Sequence, residues 1–194
     1  MKVGVIVLAA GRSQRFGRPK QLLLYDGQTL VRRAARAALA VRGPVVVVAG
    51  REQEMIALEL LGLPVTVVPN DDWERGIGSS VRCGLEALPE CDAAVIVACD
   101  QPRVDGSVIQ QLIAERAKSG KPIVASAYAG TLGVPALFGQ EIFAELRSLP
   151  DDQGAKLIIL RHRPLPNPWH WAPNHRLSSF PLTLLDFRKT SHSY

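Results

Sequence analysis

Leu8-Ala9-Ala10-Gly11-Arg12-Ser13-Gln14-Arg15-Phe16-Gly17-Arg18-Pro19-Lys20 directly follows the apolar run at residues 3–7. An uninterrupted apolar run reads as a strand buried on both faces, and such strands belong to parallel sheets covered by helices. Residues 8–20 are then the loop that leaves the first strand. This loop combines small residues, where backbone can approach a ligand closely, with the cations Arg12, Arg15, Arg18 and Lys20. Exposed amide N–H groups and clustered positive charge are the two things a polyphosphate needs, so the loop is expected to hold one.

Two other phosphate loops are excluded by spacing. A Walker loop runs Gly-x-x-x-x-Gly-Lys-Ser/Thr, whereas five residues separate Gly11 from Gly17 and Arg18-Pro19 intervenes before Lys20. The dinucleotide pattern Gly-x-Gly-x-x-Gly is absent, and no acidic residue stands about 20 residues on to hold a ribose.

The rest of the chain repeats the strand-loop-helix rhythm. Residues 45–49, 65–68, 93–99 and 123–127 read as further apolar strands. Amphipathic helices are predicted from a Thr29 cap to about residue 40, over 52–61, over 79–88 and over 105–119. This alternation predicts an α/β fold, a doubly wound, mostly parallel sheet with Rossmann-like topology. Ligands in such sheets sit beyond the carboxyl ends of the strands, so residues 8–20, 69–80 and 100–105 are expected to converge on one cleft.

The 194 residues suit one domain with a substantial core; 47% are hydrophobic and 21% charged, a balance of a soluble globular chain. No apolar run approaches the roughly 20 residues of a membrane span, and no cleavable leader precedes the loop, so a cytoplasmic location without membrane association is expected. Cys83, Cys91 and Cys99 form neither a CxxC pair nor a disulfide framework and read as small residues in or near the core. The net charge of +5 suits anionic small substrates; without aromatic-basic interleaving it does not predict nucleic-acid binding.

Two further stretches carry chemistry. Asp100 ends the apolar run at 93–99 and is followed by Gln101-Pro102, so a hard carboxylate stands at a strand end where it could hold Mg²⁺; a turn or helix cap is the alternative role. Asn70-Asp71-Asp72-Trp73-Glu74-Arg75-Gly76-Ile77-Gly78-Ser79-Ser80-Val81-Arg82 brings glycines that admit a flat base and hydroxyls at a helix start. Ser79-Ser80 equally reads as a helix cap. Asp71 and Asp72 read as solvated loop residues.

Leu8-Ala-Ala-Gly-Arg-Ser-x-Arg-Phe-Gly-Arg-Pro-Lys20-Gln-Leu-Leu resembles the signature of the MobA-like nucleotidyltransferases, the molybdenum cofactor cytidylyltransferases and guanylyltransferases. Asp100-Gln101-Pro102 and the Asn70-x-x-Trp73-x-x-Gly76-x-x-x-Ser80 segment also match that family. The resemblance covers roughly residues 3–163 and implies a Mg²⁺-dependent transfer of a nucleotidyl group to molybdopterin, with release of pyrophosphate. It implies that Leu8, Ala9, Ala10, Gly11, Arg12 and Ser13 hold the nucleotide and that Arg15 and Lys20 bind its phosphates. It further implies that Asn70, Gly78 and Ser80 lie against the base and that Asp100 binds the metal. Gly133-Val-Pro-Ala-Leu-Phe138 and Asp152-Gln-Gly-Ala-Lys156 resemble segments lining the acceptor side, where Lys156 would meet a substrate phosphate. Ala10 favours CTP over GTP, since the guanylyl branch more often has Leu-Ala-Gly-Gly.

The C-terminus departs from this pattern. The chain is read as one nucleotidyltransferase domain over 1–194, with an atypical proline-rich tail from about residue 164. Asp186 matches the first acid of the family's closing motif, but Arg188 stands where the second is expected, and two neighbouring cations would repel Mg²⁺. Trp169, His170, Trp171 and His175 read as tail packing rather than a metal site. The altered tail keeps a second class open, a non-catalytic protein that binds the molybdenum cofactor or inserts it into a recipient molybdoenzyme. A third reading keeps the chemistry and changes the acceptor to a sugar phosphate or methylerythritol phosphate.

Overall fold

Buried apolar runs dominate the strands. In β1 (Val3–Ala9) every residue is buried, and β4 (Val45–Ala49) is likewise buried throughout. The computed structural model describes residues 1–11, 19–128 and 131–162. Within them a six-stranded sheet has the order β5-β4-β1-β6-β8-β7, completed by β5 (Thr66–Pro69), β6 (Ala93–Ala98), β7 (Ile123–Tyr128) and β8 (Thr131–Gly139). The pairings β1–β4, β1–β6 and β4–β5 are parallel, while β8 runs antiparallel between β6 and β7.

The pleat sends alternate residues to opposite cores. Val5, Val7 and Ala9 of β1 join α1 (Leu30–Ala38), α2 (Gln53–Glu59) and α4 (Gly106–Ser119) through Val31, Ala35, Ile56, Ile109 and Leu112. Ile6 and Leu8 face the other way, into a cluster with α3 (Ile77–Ala87), α5 (Phe143–Arg147) and α6 (Lys156–Arg161), through Val81, Leu85, Leu146 and Ile158. Helices on both faces of a mostly parallel sheet make this the expected doubly wound α/β architecture. A Cβ at Gly84 would lie 2.4 Å from Ile6 Cγ2, so α3 presses directly on the central strand.

The cap expected at Thr29 is present, and Asp105 forms a second one. The Thr29 hydroxyl accepts a hydrogen bond from the Arg32 amide at 3.3 Å, starting α1. Asp105 caps α4 by accepting from the Ser107 and Val108 amides at 2.9 and 3.2 Å, and Gly120 ends that helix at φ +66°. The Ser107 hydroxyl hydrogen-bonded to Asp105 holds its carboxyl below the usual carboxylate range, helped by the two amides. Because the folded value is the lower one, the cap's contribution is present above the ordinary aspartate pKa and is lost as pH falls through the lowered value. Asp105→Ala should cost about 1 kcal/mol, read as a lower urea midpoint at neutral pH, and the difference from wild type should shrink in acid.

Three expectations need correction. Leu8 and Ala9 belong to β1, two residues beyond the predicted loop start, because their neighbours in β4 and β6 continue the ladder alongside them. Helix α3 begins at Ile77 rather than Ser79; Gly76, at φ +139°, makes the turn. The Ser79 hydroxyl therefore donates to the Gly76 and Asp72 carbonyls, at 2.8 and 3.0 Å, and caps no amide. Finally, β8 has no counterpart among the predicted strands. Gly133 and Pro135 interrupt its pattern as turn residues would, and a register shift between Ala125 and Ser126 absorbs the irregularity.

Candidate active site at the carboxyl edge of the sheet

The four strands β5, β4, β1 and β6 run parallel, so their carboxyl ends share one edge. At that edge Ala9 and Ala10 are buried and Gly11 is exposed. The Leu8 carbonyl accepts from the Cys99 amide at 3.1 Å, and the Ala9 carbonyl accepts from Gln21 Nε2 at 2.7 Å. Ala10 and Gly11 are thus the first residues of the loop free of the sheet ladder. Residues 12–18 lie outside the described residues, and with them the expected roles of Arg12, Ser13 and Arg15; Asp186 lies outside them as well.

Gln21 was not singled out from the sequence. It is buried, and its Nε2 also donates to the Gly11 carbonyl at 2.9 Å, so one amide ties the far end of the loop to its beginning. Lys20 stands immediately before it in a short 3₁₀ turn (Lys20–Leu22). Burial pushes the Cys99 thiol far up, the Asp100 carboxylate beside it adds to the shift, and the Lys20 ammonium is near enough to offset it. Strands β1 and β6 are parallel neighbours, so the loop that opens after Ala9 and the Asp100 carboxylate leave the sheet at the same edge.

Asp100 is exposed just beyond β6. An exposed hard carboxylate at a strand end is a donor of the kind that would hold a divalent cation. It belongs to no wider acidic site: among the described residues no group of three or more His, Cys, Asp or Glu side chains could hold a metal ion. The alternative role as a helix cap falls to Asp105 instead. The loop after Asp100 is held from two sides. Gln101 Nε2 donates to the Val134 carbonyl of β8 at 2.9 Å, and Arg33 Nε of α1 donates to the Pro102 carbonyl at 2.5 Å. The Arg33 guanidinium carbon also lies 5.1 Å from the centre of the Tyr25 ring. Tyr25 belongs to a hairpin, β2 (Leu24–Tyr25) and β3 (Gln28–Thr29), that directly follows Lys20–Leu22. Arg33 thus braces the backbone after Asp100 against the hairpin that follows Lys20–Leu22.

The segment after β5 forms the third wall. The Asn70 amide nitrogen of the side chain donates to Ser79 Oγ and Ser80 Oγ at 2.9 and 3.0 Å, and Asn70 Oδ1 accepts from the Asp72 amide at 3.1 Å. Asn70 and both serines are buried, so Asn70 works from within the loop, holding the start of α3 in place. At Gly50 a Cβ would lie 3.1 Å from Trp73 Cγ and 3.2 Å from Ala10, so a bare glycine lets the indole close over the edge beside the first loop. Gly78 has a different reason from the one expected. Its amide donates to the Asp151 carbonyl at 2.8 Å, and a Cβ there would sit 2.0 Å from the Pro150 carbonyl oxygen. The glycine is required by the chain segment packed on it, whatever ligand its other side meets.

Lys156 is exposed at the start of α6, and Gly133 and Pro135 are buried within β8. Cys91 and Cys99 are buried and Cys83 is partly so; all are free thiols, in keeping with a core role.

The model of the MobA-like NTP transferase domain matches residues 5–165. The chain belongs to that family. It is accordingly a nucleotidyltransferase, and its match spans all three walls just described. Among relatives, a nicotine blue oxidoreductase of Paenarthrobacter nicotinovorans is 32% identical over 171 residues, covering 82% of this chain and 81% of that protein. A probable molybdenum cofactor guanylyltransferase of Natronomonas pharaonis is 38% identical over 120 residues, covering 61% of this chain and 58% of that protein. The chain spans only 22% of another relative, the bifunctional IPC transferase and DIPP synthase of Rubrobacter xylanophilus, at 44% identity. Among solved structures, Rv0371c of Mycobacterium tuberculosis H37Rv has a TM-score of 0.73 at 29% identity, covering 84% of each chain. A second structure of that protein is a complex with manganese, with a TM-score of 0.70. Among the described residues no helix is long and apolar enough to cross a membrane.

Proposed function

We propose that this nucleotidyltransferase moves the nucleotidyl group of CTP onto molybdopterin or the molybdenum cofactor and releases pyrophosphate, with Mg²⁺ held by Asp100. The observation that carries this reading is the parallel pairing of β1 and β6, which brings the loop opened by Ala10 and Gly11 and the exposed carboxylate of Asp100 to one edge of the sheet. Transfer at an α-phosphate builds charge on phosphate oxygens, so it is served by fixed cations and positioning rather than by a covalent nucleophile. Lys20, with Arg15 and Arg12, would neutralise the triphosphate. Ala10 and Gly11, with Ser13, would present backbone to it, and Leu8 and Ala9 would fix where that backbone starts. Ser80 and Gly78 would face the base from a segment that Asn70 holds rigid. Bound Mg²⁺ would draw charge from the oxygens of the leaving pyrophosphate. Asp186 is the candidate second ligand. The manganese complex of Rv0371c supports a divalent cation, and the name of the Natronomonas relative supports the acceptor class.

The protein would work as one domain in the cytoplasm, where its three free thiols stay reduced, and pass its product to a recipient molybdoenzyme. A thermal-shift series with CTP, GTP, ATP and UTP, each with Mg²⁺, tests the first half. At a hundredfold excess over Kd the preferred nucleotide stabilises by about 2.7 kcal/mol, on the order of 5–10 °C for a chain of this size. CTP should give the largest shift; an equal GTP shift would remove the base preference. Pyrophosphate release with molybdopterin, against sugar-phosphate and methylerythritol-phosphate controls, tests the second half. Cofactor binding without turnover would favour the insertion role.

A further inference from the structure

The segment 149–154 is fastened to the first turns of α3 by contacts that serve no part of the reaction directly. Asp151 accepts from two arginines of the base-side segment: Arg75 Nε lies 2.8 Å from Asp151 Oδ2, and the Arg82 guanidinium donates to Asp151 Oδ1. Arg82 also donates to the Leu149 carbonyl. Backbone joins backbone where the Gly78 amide meets the Asp151 carbonyl. The fit is close enough to require glycine at the start of α3 and is tight at Gly154. A Cβ at Gly76 would lie 2.3 Å from the Asp151 carbonyl oxygen, and one at Gly154 would lie 3.3 Å from Ile77 Cγ2. The Arg82 side chain is 24% exposed and that of Asp151 28%, so the pair is shielded from much of the screening that weakens surface ion pairs. The Arg82 hydrogen bond holds the Asp151 carboxyl below the usual range, with Arg75 adding to it, so the clamp is ionised at neutral pH.

The clamp joins two parts of the proposed cleft. On one side stand Ser79 and Ser80, held by Asn70. On the other, the chain continues through Gly154 into Lys156 at the start of α6. We propose that Asp151 is a positioning residue that couples the base side of the cleft to its acceptor side, so that ordering the start of α3 around a nucleotide also orders residues 150–156 for the acceptor. This rests on the nucleotide reading of the site given above. Coupling of this kind is a free energy shared by two sites and is reciprocal, so acceptor and nucleotide should tighten each other.

Hydrogen exchange of the full chain, with and without CTP and Mg²⁺, tests it in wild type and in Asp151→Asn. Asparagine keeps the size and the backbone bond to Gly78 and removes the charge from the clamp. In wild type the nucleotide should slow exchange in both 76–82 and 150–156, by roughly fivefold or more. In Asp151→Asn the slowing at 76–82 should remain and that at 150–156 should largely disappear. Nucleotide-dependent slowing at 150–156 that survives in the variant would overturn the role of Asp151. Slowing confined to 76–82 in wild type would overturn the coupling itself, while the nucleotide reading would stand. No slowing at 76–82 in wild type would overturn the nucleotide reading and the coupling with it. Arg75→Gln, which leaves the Arg82 bonds in place, should give an intermediate loss and serves as the second variant if Asp151→Asn folds poorly.

Discussion

Lys20→Ala should lower the rate of nucleotidyl transfer by roughly 10²-fold or more, the loss typical of removing one donor from developing charge. The side chain is well placed for so selective an effect. Lys20 opens the short turn that Gln21 anchors to the Ala9 and Gly11 carbonyls, and that anchor uses none of the lysine side chain. The variant should therefore keep the loop ends together. The turn of Lys20 follows the loop that leaves β1, next to the strand whose end carries Asp100, the edge where the phosphates would lie. If the ammonium acts mainly on charge that develops during transfer, kcat should fall with kcat/KM. Lys20→Arg should restore only part of the rate, since a planar fork does not reproduce a compact point charge. A variant whose KM for CTP rises while kcat is unchanged would mean that Lys20 only binds the ground state. Steady-state pyrophosphate release as a function of CTP concentration separates the two.

Asp100→Asn should abolish the dependence of activity on Mg²⁺ and leave the fold intact. The carboxylate is exposed beyond the end of β6, and the backbone around it is held by Gln101 and Arg33 rather than by Asp100 itself. Exchanging one oxygen for a nitrogen removes the charge and half of the hard oxygen set while keeping the shape. Binding of Mn²⁺ in the presence of CTP, followed by electron paramagnetic resonance, reads the site independently of turnover, and the variant should bind the ion much more weakly. Normal activity with normal Mg²⁺ dependence in Asp100→Asn would show that the metal is held elsewhere.

The strands β1, β4 and β6 were legible because a strand covered on both faces must be apolar without interruption, and few other elements produce such runs. Strand β4 begins and ends at the residues its run of valines predicts. Strand β8 was not legible, because its glycine and proline are read locally as turn residues, and only pairing with β6 and β7 makes them part of a sheet. The same division runs through the site. Lys20 and Asp100 carry their chemistry in their side chains and stand out at strand ends. Gln21, Arg33 and Asp151 act by what their side chains hold.

From the order of its residues alone this chain is an α/β protein with a cationic, glycine-bearing loop after its first strand and a carboxylate after the strand beside it. Those are properties of local pattern and of parallel topology, which sends every such loop to one edge. Which residues brace that edge was decided by the tertiary structure. Arg82 and Asp151 lie 69 residues apart, as do Arg33 and Pro102, and no periodicity links them. Packing of α3 against residues 149–154 gave Gly76 and Gly78 their purpose, because the space a side chain would fill is taken by the backbone of a distant segment. A local pattern can indicate where a ligand's charge is met; what keeps the two sides of the cleft in register is contact between parts of the chain that meet only in the fold.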